Sequence, residues 1–342
     1  MLTQSRRKPL WRIVKLLALS VLSVLLILAI VGTAWNYLSV YSVREQNPPP
    51  GHLYDVDGHA MHLYCTGSGS PTVVLESGHG EAFTVWGKVQ PGLSKVTRTC
   101  SYDRAGFGWS ADQPGERDAT HIVDQLHGLL ESAGITDPVV LAGHSAGGLY
   151  ATVYAATFPE EVAAVVLVDA TSPSPSPQPP ILASLDEHSD AEFFVVKAMV
   201  ALGVARLAGQ CDAVPPGLES YAGWIKADAC HYPQLDVYVR EDKALGRSRA
   251  EAATVKSLGN VPVLVISQDP DTDIPAFLKG RISPEDWNAG LSARVADQVN
   301  LLQLSTQSNR VVATHSGHYV QYDRPDVVVD EISSLVGRIR ER

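Results

Sequence analysis

The hydrophobic positions of this 342-residue chain form three successive patterns. One long apolar run comes first, and no charged residue interrupts residues 16–41. Short apolar runs then alternate with segments of helical periodicity over residues 53–172. A region without strand-like runs follows, and the alternation resumes at residue 261. These changes divide the chain into an N-terminal apolar segment, an alternating core and an insertion.

The short apolar runs predict strands, and the periodic segments between them predict helices. The predicted strands are 53–56 and 60–65, which form a hairpin across Asp57-Gly58, followed by 72–76, 96–102, 139–142, 162–168, 261–267 and 310–314. The predicted core helices are 121–133, 149–157, 284–304 and 326–340. Strands that alternate with helices build a mainly parallel sheet with helices on both faces. The predicted fold class is therefore α/β.

Residues 173–257 break the alternation. They open with a proline- and serine-rich stretch that extends to Pro180, and residues 181–257 have a helical pattern. Such a stretch has neither helix nor strand character and is typical of a hinge. Because the segment lies between two predicted strands, near their carboxyl ends, we expect a helical cap inserted into a core made of 53–172 and 258–342.

The first apolar run predicts a membrane anchor. Residues 1–15 are basic, and the apolar residues 16–38 exceed the ~20 needed to cross a bilayer. Positive charge on the N-terminal side predicts a cytoplasmic N-terminus and an extracytoplasmic catalytic domain. The alternative is a signal peptide that is cleaved after Ala34, which would release a secreted protein. Residues 39–52 would then be a linker, stiffened by its prolines.

The composition limits the kinds of partner and cofactor that we expect. The formal net charge of -10 argues against nucleic acid, because such a chain has little to neutralise phosphates. An exported protein can keep two disulfides among its four cysteines, but their spacing does not fix the pairing, and free thiols are the alternative. These cysteines are Cys65, Cys100, Cys211 and Cys230. No Cys/His spacing typical of a metal site appears, so we expect no metal or cofactor. The oligomeric state is left open.

A Gly-x-Ser-x-Gly pentad spans Gly143 to Gly147 and contains Ser145. It follows a predicted strand and precedes a predicted helix, as a nucleophile elbow requires. The serine of an elbow stands at a sharp turn, so its neighbours must be small for the two backbones to pass closely. The helix N-terminus directs backbone N–H groups toward charge that develops beside the serine. The pattern therefore indicates a catalytic serine.

Four segments together resemble the α/β-hydrolase fold superfamily, in its branch of capped, membrane-anchored or secreted serine hydrolases. They are Leu75-Glu76-Ser77-Gly78-His79-Gly80 with Trp86 beyond, the stretch from Ser101 to Ser110, the pentad, and Ser316-Gly317-His318-Tyr319 followed by Arg324-Pro325. They occur in the family's order over residues 53–342. No family motif was found in the cap.

The resemblance implies a role for each motif. Ser145 corresponds to the nucleophile, and His318, in a loop after the last strand, to its general base. His315 is the less favoured histidine of that loop. The backbone N–H groups of Ala146 and His79 correspond to the oxyanion hole. The segment that contains Asp103 shapes the pocket wall and is not expected to be catalytic.

The acid that orients the base has two candidate positions. In the commonest family arrangement it follows the strand after the cap, which points to Asp271, with Asp269 alongside. Here, however, Gln268 replaces the glycine usual in that loop. Other members place the acid at the end of the strand before the cap, which is Asp169. A charged residue after a buried strand needs a partner, which His318 would supply, so Asp169 is slightly favoured.

The implied function is that of an exported serine hydrolase that cleaves a small-molecule ester or related acyl substrate through an acyl-enzyme. A peptidase, lactonase or C–C bond hydrolase would use the same triad. A peptidase that binds a free amine would want an acidic group in the cap, and the candidates are Asp186, Glu187, Asp190 and Glu192. A membrane-tethered ligand-binding protein without turnover is the alternative from another class.

Overall fold

The computed structural model describes residues 7–184 and 188–342, and the strands in these ranges form one eight-stranded sheet. The strands are β1 His52–Val56, β2 His59–Thr66, β3 Val73–Glu76, β4 Thr99–Tyr102, β5 Val139–His144, β6 Val162–Val168, β7 Val263–Gln268 and β8 Ser308–Ala313. Their order is β1-β2-β4-β3-β5-β6-β7-β8. β2 pairs antiparallel with β1 and β4, and all other pairs are parallel. The predicted fold class is confirmed.

The described residues form twelve α-helices. They are α1 Arg7–Gln46, α2 Gln90–Leu93, α3 Ala119–Ser132, α4 Gly147–Thr157, α5 Pro180–Ala183, α6 Asp190–Ala201, α7 Val204–Leu207, α8 Ala222–Asp228, α9 Tyr232–Thr254, α10 Pro284–Asn300, α11 Val320–Asp323 and α12 Pro325–Arg340. Short 3₁₀ segments lie at Phe83–Trp86, Pro159–Glu161, Gln210–Asp212, Glu219–Tyr221, Ala276–Leu278 and Leu301–Leu304. The helix predicted at 284–304 is thus α10 followed by a 3₁₀ turn.

Both faces of the central strands are buried, as expected for a parallel sheet between helices. Successive side chains of a strand point to opposite faces, so neighbours such as Val140 and Leu141 belong to different apolar layers. One layer includes residues of α3 and α4, and the other includes residues of α12. The carboxyl ends of β5 and β6 are therefore held in a rigid frame.

Helices α5 to α9 lie within the predicted cap, and no strand occurs in its described part, 173–184 and 188–257. Helix α9 packs against α3 and α4 and so ties the cap to the core. All four cysteines are paired. A Cys65–Cys100 disulfide joins β2 to β4, and a Cys211–Cys230 disulfide closes a loop of the cap.

Helix α1 contains a stretch long and apolar enough to cross a membrane, which is compatible with an anchor or a signal sequence. It continues to Gln46, so the prediction of a linker at 39–46 was wrong. The helix is extended by contacts to the rest of the protein, because Asn36 and Val40 are buried. The Arg44 guanidinium also donates to the Gly108 carbonyl oxygen at 2.9 Å. Residues 1–6 of the predicted basic segment lie outside the described residues.

Candidate active site

Ser145 stands between β5 and α4 in a left-handed backbone conformation, with φ of 52°. A Cβ atom at Gly143 would lie 2.3 Å from the Gly147 carbonyl oxygen, and one at Gly147 would lie 2.7 Å from that of Glu76. Both positions therefore require glycine. This strained strand-to-helix turn is the geometry of a nucleophile elbow, and it exposes the serine at the carboxyl edge of the sheet.

The structure brings Ser145, His318 and Asp169 together. The Ser145 hydroxyl lies 3.1 Å from His318 Nε2, and His318 Nδ1 lies 2.6 Å from an Asp169 carboxylate oxygen. Ser145 follows β5, Asp169 follows the adjacent β6, and His318 lies in the loop after β8. A hydroxyl bonded to an imidazole that is in turn held by a carboxylate is the arrangement that can activate a serine.

The alternative acids take part in other contacts. Asp269 accepts hydrogen bonds from the backbone N–H groups of His315, at 2.6 Å, and of Asp271, at 2.9 Å. Within the described residues, neither Asp269 nor Asp271 makes a hydrogen bond to His318. These two aspartates and His315 thus organise the loop edge, and Asp169 is the candidate acid that contacts the imidazole.

The charges of the site favour an ionised Asp169 and a neutral His318. Burial opposes ionisation of Asp169, but the hydrogen bond and charge of His318 and the charge of Arg294 outweigh it and lower its pKa. Burial also lowers the pKa of His318, against the raising effect of its bond to Asp169. A neutral imidazole at neutral pH can accept the serine proton.

Arg294, on α10, is a neighbour of this triad that the sequence did not indicate. Its Nη1 atom lies 3.1 Å from the Asp169 carboxylate and 3.1 Å from His318 Nδ1. Since His318 Nδ1 carries a hydrogen that is directed at Asp169, it cannot accept from Arg294. The guanidinium therefore donates its hydrogen bond to the carboxylate. The guanidinium thus holds the acid in its ionised form and adds positive charge beside the imidazole.

His144, the residue before the serine, forms a second bridge. Its Nδ1 atom lies 3.2 Å from the Glu81 carboxylate, and its Nε2 atom lies 3.1 Å from the His318 carbonyl oxygen. Burial alone would lower the pKa of His144, but the charge and hydrogen bond of Glu81 raise it. The pair of His144 and Glu81 thus links the loop after β3 to the loop that contains His318.

The predicted oxyanion donors lie on the cavity wall beside Ser145. His79 and Ala146 both line it, and among the described residues the backbone N–H of neither makes a hydrogen bond. Two free N–H groups beside the serine are what an oxyanion hole requires. The His79 ring stacks on Tyr238 of the cap, with ring centres 4.3 Å apart.

Arg104 fixes the loop that contains His79. Its guanidinium donates to the Ser77 and Gly78 carbonyl oxygens at 2.7 and 2.6 Å. It also pairs with Glu76 at 2.8 Å and with Glu241 of α9 at 2.7 Å. These side chains are almost completely buried, so each charge depends on its partner. Arg104 therefore joins the loop that contains His79 to both the sheet and the cap.

Two cavities meet at the triad. A polar cavity of about 270 Å³ contains Ser145, and an apolar cavity of about 650 Å³ lies beyond His318. The lining of both includes Gln178, Arg294 and His318. The apolar walls of the larger cavity include Leu182, Pro275, Leu278, Trp287, Leu291 and Tyr319. Ser145 thus borders a polar space, and an apolar space lies on the far side of His318.

The acidic cap residues proposed for amine binding do not line either cavity where they are described. Asp190 pairs with Lys243 at 2.6 Å. Glu192 accepts a hydrogen bond from the backbone N–H of Ser189, the N-cap residue of α6. Asp186 and Glu187 lie outside the described residues. No group of three or more His, Cys, Asp or Glu side chains suited to a metal ion occurs within 7–184 and 188–342.

The sequence did not indicate several contacts of the site, and two kinds of position account for them. Glu241 and Arg294 lie on helices of the cap and core that contain no motif, and tertiary packing alone brings them to the site. Arg104 stands inside one of the four segments quoted above, and His144 stands inside the pentad. Their partners Glu76 and Glu81 lie inside and directly after the segment from Leu75 to Gly80, and this segment was the available signal.

Comparisons with known proteins agree with the fold. A family model for the alpha/beta hydrolase fold matches residues 71–194. The uncharacterized protein YbdG of Bacillus subtilis is 28% identical over 164 residues, which are 47% of this chain and 50% of YbdG. The chain thus spans about half the length of that curated relative.

Two solved structures share the fold at low identity. A thermophilic esterase from Thermogutta terrifontis has a TM-score of 0.59 and is 19% identical, and the match covers 84% of this chain and 98% of the esterase. A membrane phospholipase A, described as a bacterial virulence factor, has a TM-score of 0.60 and is 19% identical. That match covers 98% of this chain and 100% of the phospholipase chain, so it extends into α1.

Proposed function

Because the chain belongs to the α/β-hydrolase fold superfamily, we propose that it is a serine hydrolase of carboxylic esters or related acyl compounds. The observation that carries the proposal is the continuous set of hydrogen bonds from the Ser145 hydroxyl through His318 to Asp169. The two free backbone N–H groups beside Ser145 support it. Ser145, His318 and Asp169 are the proposed catalytic residues.

In the first half-reaction, His318 Nε2 takes the proton of Ser145 as the serine oxygen attacks the acyl carbon. The carbonyl oxygen becomes an oxyanion, which accepts hydrogen bonds from the backbone N–H groups of Ala146 and His79. The tetrahedral intermediate then collapses. The leaving alcohol takes the proton from His318 and departs, and the acyl group remains on Ser145.

In the second half-reaction, water replaces the alcohol. His318 Nε2 removes a proton from the water as its oxygen attacks the acyl carbon, and the same N–H groups stabilise the second oxyanion. The returning proton restores the Ser145 hydroxyl, and the carboxylic acid leaves. Asp169 holds the Nδ1–H tautomer of His318 and stabilises the imidazolium that forms in each half-reaction.

The apolar cavity supports an acyl substrate. It borders His318 and is lined mainly by apolar and aromatic side chains, so it suits the hydrocarbon part of an ester. The names of both structural neighbours, an esterase and a phospholipase A, denote enzymes that cleave esters. Peptidase, lactonase and C–C bond hydrolase activities would use the same triad and are alternatives that a substrate screen tests.

We further propose that α1 is an uncleaved anchor and that the catalytic domain lies outside the cytoplasm. Support comes from Gly32, which precedes the alternative cleavage site after Ala34, since a Cβ atom there would lie 2.1 Å from the Leu202 carbonyl oxygen of the cap. The two disulfides suit an oxidising compartment. A mature protein that starts near Trp35 in the soluble fraction would instead indicate the secreted form.

The activity is tested with the full chain, purified in detergent, on p-nitrophenyl esters of graded acyl length. Ser145→Ala should abolish hydrolysis, whereas Ser292→Ala, at an exposed position of α10, should leave it unchanged. Hydrolysis that survives Ser145→Ala contradicts the proposal. No turnover of esters, amides or lactones by the wild type would favour a binding protein.

A further inference from the structure

Two short helices of the cap expose large apolar side chains to the surroundings. Phe194 of α6 is 73% exposed, and Leu207 of α7 is 78% exposed. The exposed apolar residues of these helices and the turn between them, here called the cap apolar surface, are Phe194, Val195, Val196, Leu202, Val204 and Leu207. The two charged residues in 193–207 both have partners, since Lys197 pairs with Asp236 and Arg206 donates to Asn36. An exposed patch of this kind marks an interaction site.

The backbone of the turn between α6 and α7 contacts α1, the helix that is long and apolar enough to cross a membrane. A Cβ atom at Gly32 would lie 2.1 Å from the Leu202 carbonyl oxygen, and one at Gly203 would lie 2.8 Å from the Gly32 carbonyl oxygen. One turn farther along α1, Asn36 Oδ1 accepts a hydrogen bond of 3.1 Å from Arg206 Nε. The cap apolar surface therefore packs beside α1 at the level of Gly32 and Asn36.

This level of α1 lies within the span predicted to cross the bilayer. A hydrocarbon core of ~30 Å is crossed by about 20 helical residues at ~1.5 Å each, so a span that begins at Leu16 ends near Asn36. Gly32 then lies about 6 Å inside the outer boundary. Trp35 and Tyr37, both exposed, stand at that boundary, where aromatic side chains are favoured.

We propose that the cap apolar surface inserts into the lipid of the outer leaflet beside α1, so that the protein has two membrane contacts. The occupant of the surface is the acyl-chain region of the bilayer, because the exposed apolar side chains of α1 and of the cap meet at Gly32. The insertion is shallow, since Asp190 and Glu192 stand exposed in the first turn of α6. The inference rests on the proposed anchor.

The consequence concerns orientation. A single helix leaves a catalytic domain free to tilt, whereas a second contact holds the cap against the leaflet. The cap helix α9 contributes Asp242 and Arg249 to the cavity that contains Ser145. The cap that covers the site is thus in contact with the membrane, where acyl compounds dissolve.

The test uses single cysteines in the full chain, reconstituted into phosphatidylcholine vesicles. All four native cysteines are disulfide-bonded, so an introduced thiol is labelled selectively with an environment-sensitive fluorophore. The test positions are Phe194→Cys and Leu207→Cys. Leu25→Cys, on the exposed apolar part of α1, reports on the anchor. Thr136→Cys is the control for a label in water, because this residue is exposed before β5 at the edge of the sheet opposite Ser145.

We expect blue-shifted emission at Phe194→Cys and Leu207→Cys and its quenching by brominated phosphatidylcholine, with no quenching at Thr136→Cys. Quenching at Leu25→Cys without quenching at either cap position overturns the inference and leaves the anchor intact. Blue-shifted emission at the cap positions without quenching also overturns it, because a protein then covers the surface. Absence of quenching at Leu25→Cys refutes the anchor itself and, with it, the inference.

Discussion

The carboxyl edge of the sheet and the cap above it are held by different kinds of contact. At the edge, the register of β5 and β6 pairs His144 with Val168, so the residues that follow, Ser145 and Asp169, emerge side by side. The described part of the cap contains no paired strands. It is held by the packing of α9 against α3 and α4 and by buried polar contacts, among them the ion pair of Glu241 with Arg104. Neighbouring strands thus fix the proposed catalytic residues, while helix packing and side-chain pairs fix the cap that covers them.

The largest expected effect lies at the edge of the sheet. Asp169→Asn should lower kcat by roughly 10³ to 10⁴-fold, because the amide cannot hold the Nδ1–H tautomer of His318. The measurement is steady-state ester hydrolysis. Asp271→Asn, in the neighbouring loop, is the matched control and should keep its activity. Near-normal turnover of Asp169→Asn, or a large loss for Asp271→Asn, would reverse the assignment of the acid.

The next effect tests the link between cap and core. Glu241→Gln leaves the buried guanidinium groups of Arg104 and Arg117 without their shared carboxylate. Breaking a buried pair in this way destabilises a protein by about 3–5 kcal/mol. Denaturant unfolding measures the change, and activity should fall as the loop before Gly80 loosens. Asp236→Asn, exposed on the same helix, is the control, and equal losses for the two variants would contradict the link.

A smaller effect shows whether the cap unfolds separately from the core. The Cys211–Cys230 bridge closes a loop with a sequence separation of 19, and its removal costs about 3 kcal/mol by loop entropy. The double Ser variant should therefore become sensitive to protease within the cap before the sheet unfolds. Limited proteolysis with fragment mapping shows this. First cleavage within the core instead would mean that the cap and the core unfold as one unit.

The smallest effect concerns pH. A neutral His318 is required, and burial lowers its pKa, so the activity should fall on the acid side with a midpoint below the ordinary value of about 6.5. The positive charge of Arg294 also lowers this pKa, so Arg294→Gln should move the midpoint to higher pH. Arg338→Gln, exposed on α12, should not move it. A downward shift for Arg294→Gln would contradict the proposed electrostatics.

The sequence predicts much of the sheet because buried strands and their flanking turns have strong local patterns. It also predicts Ser145 and His318, since each stands in a motif just after a strand. Asp169 is only slightly favoured over Asp271, because both follow strands that end at the same edge. The hydrogen bond to His318 supports Asp169 as the proposed acid, and that contact depends on how the loop after β8 folds back.

Contacts between distant elements could not be predicted in the same way. Arg294 and Glu241 lie on helices whose pattern specifies an exposed and a buried face but not the partner. The extension of α1 to Gln46 has a similar cause, because the contacts of Asn36 and Arg44 with the cap and core override the polar character of residues 42–46. Local propensity is a weak guide where tertiary contacts decide.

Ser145 is the proposed nucleophile of a hydrolase. The most direct measurement is labelling of the full chain with a fluorophosphonate, followed by peptide mass spectrometry to locate the adduct. We expect one phosphonyl adduct on Ser145, its absence in Ser145→Ala, and much slower labelling in His318→Ala. No labelling of the wild type, or labelling that persists in Ser145→Ala, would contradict the account.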